Sequence, residues 1–145
     1  MKKFLLLIYI SMGSLSFLFG EDKVEGIHYR DSLQKVIELL PADSTRLSYL
    51  ERMAYCHQYP PLDKFFAASL WEESIRQENA YYENLGAYYM ATCFDKRHDP
   101  DSLSYWVDKL KEMALQRGTY DYYLEQKAAL SRAQASKRKV EKAIY

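Results

Sequence analysis

The chain has 145 residues, with 20 basic and 20 acidic side chains and 48% hydrophobic content. The balanced charge argues for neither a nucleic-acid partner nor an acidic one. The apolar share is enough to bury a core and argues against disorder. Five glycines and four prolines, mostly at candidate turns, suit long helices better than a many-turned sheet.

The first twenty residues, MKKFLLLIYISMGSLSFLFG, have the parts of an export signal: Lys2 and Lys3, then an apolar run from Phe4 to Phe19. Ser11, Gly13, Ser14 and Ser16 interrupt the run, which is short beside the roughly 20 apolar residues of a spanning helix. Two readings stand, a cleaved signal peptide or an N-terminal membrane anchor through residues 4–19. Cleavage after Gly20 places Leu18 at the minus-three position; cleavage after Ser16 places small Ser14 there. No cysteine follows the run, which argues against a lipoprotein anchor. Residues 21–29 read as a linker.

From about residue 30 to 145 the pattern is helical throughout. Leu33, Val36, Ile37 and Leu40 make one apolar stripe, and Pro41 ends that helix. Asp43 or Ser44 caps the next, which carries Leu47, Leu50 and Ala54 until Tyr59-Pro60-Pro61 breaks it. Phe65, Phe66, Leu70, Trp71 and Ile75 give a third helix that is apolar over a wide arc. A fourth covers roughly residues 80–95. After the loop DKRHDPDS comes a fifth with Leu103, Trp106, Val107, Leu110, Met113 and Ala114, the cleanest stripe in the chain. Gly118 ends it and Thr119 caps a sixth, whose register Tyr120, Tyr123, Leu124 and Ala128 leave open between two phases. KRKVEKAIY reads as the start of a seventh. No segment alternates with period two, so no strand is expected. The expected class is all-α, built of antiparallel helix pairs. The second, fourth and sixth helices start some 35–40 residues apart, a spacing that marks helical solenoids.

The segment YYENLGAYYM holds four of the 14 tyrosines and one glycine inside a helix, where glycine costs about 1 kcal/mol relative to alanine. Tyr82, Leu85, Gly86 and Tyr89 resemble the first-helix signature of a tetratricopeptide repeat: a large aromatic, then leucine-glycine, then tyrosine. The resemblance implies that the two helices of one repeat cross at Gly86, with aromatics filling the wedge beside it. In the following helix Ser102 and Trp106 resemble the family's small residue and the aromatic four positions on, while Lys109 departs from it. The loop RHDP makes this unit about four residues longer than the standard repeat. Residues 80–117 match well and 44–145 loosely; Glu51 stands where the earlier unit would have its glycine. The fold implied is a short α-solenoid of about three tetratricopeptide-like repeats. Its inner wall would present Ser48, Arg52 and Tyr55 from one helix and Glu83, Ala87 and Met90 from the next. The plain alternative is that these six are solvated positions.

No catalytic constellation is present. His28, His57 and His98 are scattered, and Cys56 and His57 are sequence neighbours that point about 100° apart on a helix. Asp95, Lys96, Arg97, His98, Asp99 and Asp101 read as a solvated loop rather than a metal site. Cys56 and Cys93 read as small buried hydrophobes, with a disulfide between them as the alternative in an exported chain. Lys137, Arg138, Lys139 and Lys142 read as the exposed side of a helix. No cofactor and no metal are expected.

The function expected is non-catalytic: an exported module of the periplasm or cell envelope that binds a protein or peptide, with no nucleic acid partner. The export signal and tyrosine-rich degenerate repeats also resemble the extracytoplasmic regions preceding a membrane helix in some bacterial sensor kinases and regulators. That implies an N-terminal sensory segment of a longer signalling protein, consistent with an apolar-patterned helix that is still running at Tyr145. A structural scaffold without a discrete ligand is the third reading.

Overall fold

A computed structural model describes residues 25–56 and 62–145. The expected signal segment, most of the linker, His57 and the Tyr59-Pro60-Pro61 break lie outside the described residues. Within them the protein is all-α: α1 (Glu25–Leu39), α2 (Ser44–Cys56), α3 (Leu62–Arg76), α4 (Ala80–Lys96), α5 (Pro100–Arg117) and α6 (Tyr120–Ile144). No strand occurs among the described residues.

Two compact units divide between Arg46 and Leu47, inside α2. In the first, helix begins at Glu25, earlier than the apolar stripe suggested, and stops at Leu39 ahead of Pro41. A residue before proline is pushed out of the helical region, so the ending is local in origin. Leu33, Ile37 and Leu40 are buried. Asp43 caps α2, its carboxylate accepting from the Thr45 amide at 2.8 Å. Arg46 donates to the carbonyls of Leu40, at 2.7 Å, and Glu38.

In the second unit α4 is the hub. It packs against α3, α5 and α6, and α6 also packs on α5. The α5 stripe of Leu103, Val107, Leu110 and Met113 is buried, as its periodicity required, and forms one core with Ala87 and Ala91 of α4 and Ala129 of α6. Trp71 of α3 meets Trp106 of α5 edge to face, with ring centroids 5.2 Å apart. On the wide apolar arc of α3, Phe66 and Leu70 are fully buried but Ile75 lies exposed, at the end of the contact surface.

The connections repeat one design. Glu78 and His98 both take left-handed backbone, with φ of 52° and 54°. At each, the next amide reaches back to close the helix before it, Asn79 N–H to the Ser74 carbonyl and Asp99 N–H to the Phe94 carbonyl. Asn79 and Asp99 then cap the following helices, accepting from the amides of Tyr82 and Ser102. The loop expected over Asp95–Ser102 therefore shrinks to three residues, because α4 runs to Lys96 and Pro100 already stands at the start of α5. Gly118 closes α5 with φ of 73°, donating to the Ala114 carbonyl at 2.8 Å.

Two further expectations are corrected. KRKVEKAIY does not start a seventh helix; it continues α6, which runs unbroken for 25 residues because nothing after Thr119 breaks it. The open register of α6 resolves to a face with Gln126 and Ala129 buried and Tyr122, Tyr123, Leu130 and Ala133 partly covered. Tyr120, Leu124 and Ala128 lie exposed.

Candidate functional site

The three sides of α4 explain what the remaining surface can do. Gly86, Met90, Cys93 and Arg97 follow one another at helical spacing and face α3. A Cβ on Gly86 would lie 2.9 Å from both Trp71 N and Trp71 Cα. Met90 and Cys93 share a core cluster with Ala67 of α3. Arg97 grips Asp63 at the start of α3, with its two donors 2.8 and 3.3 Å from the two carboxylate oxygens. The closest crossing is thus made with the preceding helix rather than with α5, the partner expected within the same repeat.

Glu83, Ala87 and Ala91 form the second side, toward α5. Arg117 at the end of α5 reaches Glu83 at 2.9 Å and also donates to the Ala80 carbonyl. Of the six residues expected to face a ligand, Ala87 and Met90 are therefore buried in the core and Glu83 is engaged by Arg117. The physical reason is the direction of Gly86: the helix turns that side inward, and the positions beside it go with it. Ser48, Arg52 and Tyr55 of α2 are exposed, Tyr55 at 75%.

The third side of α4 carries the tyrosine pairs 81/82 and 88/89. They are seven residues apart, two helical turns, and so stack on one side. Tyr82 is hydrogen-bonded to Ser48 of α2. The Tyr88 ring lies 4.7 Å from that of Tyr122 on α6, and its hydroxyl donates to Glu125 at 2.9 Å. Gln126 of α6 donates to Thr92 Oγ1 of α4 at 3.1 Å, tying the same two helices one turn further on. Tyr82 and Tyr89, expected as packing residues, line this side together with exposed Tyr81. Of the other packing residues, Leu85 and Gly86 are buried. Ser102 bonds its cap Asp99 at 2.7 Å, and Trp106 contacts Trp71.

The electrostatics of this side are those of half-buried phenols beside carboxylates. Burial, then the Glu125 hydrogen bond and charge, pushes Tyr88 up to about 12. Burial, then the charge of Glu51, pushes Tyr89 up to about 12 as well. Burial also raises Tyr122, which feels both Glu51 and Glu125. All stay protonated at neutral pH and remain hydrogen-bond donors. The arrangement offers rings, hydroxyls and carboxylates but no nucleophile. Cys93 is buried near Asp63, and burial with that charge lifts its thiol to about 11, well away from reactivity. Cys56 is exposed and both cysteines are free.

Sequence reasoning missed the tyrosine face as the open one, although the seven-residue repeat of tyrosine pairs was a usable signal. The Asp63–Arg97 grip, 34 residues apart in sequence, left none. Among the described residues no group of three His, Cys, Asp or Glu gathers as a metal site, and no helix is long and apolar enough to cross a membrane. Comparison with protein-family models, with curated proteins and with solved structures yields no match.

Proposed function

We propose that the chain is a non-catalytic, tetratricopeptide-like module of the cell envelope that holds a protein or peptide segment on the tyrosine side of α2, α4 and α6. The observation that carries the reading is that alternate helices of the chain meet along this side, through Tyr82 with Ser48 and Tyr88 with Tyr122. Such an order, with α3 and α5 on the other side and touching through Trp71 and Trp106, is what stacked helix pairs produce. The starts of α2, α4 and α6 at Ser44, Ala80 and Tyr120 support the same period. Tyrosines suit the task because a large ring is immobilised at little entropic cost while its hydroxyl supplies a polar contact. Lys2, Lys3 and the apolar run after them support export.

Selection of a random peptide library on the full chain tests the reading. Enriched peptides are expected to bind saturably and to lose about fivefold or more in affinity to Tyr55→Ala/Tyr81→Ala, since ring contacts dominate such surfaces. Both side chains are largely exposed, so the double variant keeps the fold. Undiminished binding to it places the contact elsewhere and removes the proposal.

A further inference from the structure

Resting on that reading, the tyrosine side also specifies the chemistry of its ligand. Glu51 enters it from α2 and Glu125 from α6, and Tyr122 lies within reach of both charges. Glu125 accepts a hydrogen bond from the neutral phenol of Tyr88, and neither carboxylate has a cationic partner among the described residues. The other carboxylates of the unit that sit against helices are already matched: Asp63 with Arg97, Glu83 with Arg117 and Glu73 with Arg76. The rings around Glu51 and Glu125 present electron-rich faces, to which an ammonium or guanidinium is attracted.

We propose that this side takes an extended peptide segment bearing arginine or lysine, its cations seated between Glu51 and Glu125 over the rings of Tyr81, Tyr82, Tyr89 and Tyr122. Charge complementarity selects the cation, and size selects the peptide. Neighbouring helices lie about 8–10 Å apart. A face shared by three of them spans on the order of 20 Å, the length of about six extended residues.

The test measures binding of a repeating Arg-Gly-Ser peptide to the full chain, against Gln-Gly-Ser and Glu-Gly-Ser peptides of equal length and against spermine. The Arg peptide is expected to bind saturably and about tenfold more tightly than the Gln peptide, with the Glu peptide weakest. Glu51→Gln/Glu125→Gln is expected to remove most of that preference, about two- to fivefold per carboxylate. Glu72→Gln/Asp108→Asn, an equal charge change at exposed positions of α3 and α5, is expected to leave it intact. Equal affinity for the Gln and Arg peptides, or a preference that survives Glu51→Gln/Glu125→Gln, overturns the proposal. Spermine binding as tightly as the Arg peptide overturns the peptide assignment, and no binding by the Arg peptide overturns the whole. Neutral-peptide binding that is lost in Tyr55→Ala/Tyr81→Ala would keep the binding face while discarding its charge preference. Arg-peptide binding that neither double variant weakens would discard both.

Discussion

At the scale of single residues, Gly86 decides how α4 is oriented. Its missing side chain lets the backbone of α3 come within a distance that no Cβ tolerates. Gly86→Ala gains about 1 kcal/mol of helix propensity, but it must push apart two helix backbones, and overpacking of that kind costs about 1–3 kcal/mol. The contact is with main-chain atoms, which cannot swing away, so the variant is expected to be less stable on balance. A denaturant midpoint equal to or above that of the parent chain would contradict this. The phenols make a second residue-level prediction. With 14 tyrosines in the chain, absorbance titration should show most ionising near pH 10 and a late class near 12. Tyr88→Phe and Tyr89→Phe should each take one member from the late class. Because the folded values lie above the unfolded one, their contribution to stability is complete below about pH 10 and is lost as pH rises toward 12. The importance of Gly86 was legible in the sequence, since a helical glycine among large residues calls for a close neighbour. The identity of that neighbour was not, because helical spacing fixes which side chains share a face but not which helix the face meets.

At the scale of elements, the α3–α4 pair is fastened at one end by Asp63 and Arg97. Burial alone would raise the Asp63 carboxyl; the Arg97 hydrogen bonds, the Lys64 amide and the Arg97 charge outweigh it and hold the group below its usual range. The carboxylate is 3% exposed, so Arg97→Ala strands a charge and is expected to cost about 3 kcal/mol in urea unfolding. Asp63→Leu/Arg97→Met should cost less than either single change, and a double variant that is the sum of both would refute the coupling. The sign in pH follows from the lowered value: the stabilisation is present above the ordinary carboxylate range near 4 and disappears as pH falls below it. The existence of the helices, their stripes and several ends could be read directly, as Leu103 to Met113, Pro41 and Gly118 illustrate. The long course of α6 could not, because a polar stretch such as SKRKVEK is equally compatible with a helix beginning and a helix continuing. Ion pairs between residues 34 apart leave no periodic trace at all.

At the scale of the whole molecule, the described helices divide into two units, and the candidate binding side belongs entirely to the second. The six outward positions expected from the resemblance were half right for this reason. The α2 residues depended only on one exposed face, whereas those of α4 depended on which of three neighbours Gly86 approached. The length of α6 has a consequence of its own. Its 25 residues extend about 37 Å, yet its buried side chains, Gln126 and Ala129, all fall in the first half. Backbone protection against deuterium uptake should consequently grade along this one rod. Amides near Ala129 would exchange only when the unit opens, and those beyond Lys137 within seconds, the signature of a strut anchored at one end and free to unwind from the other.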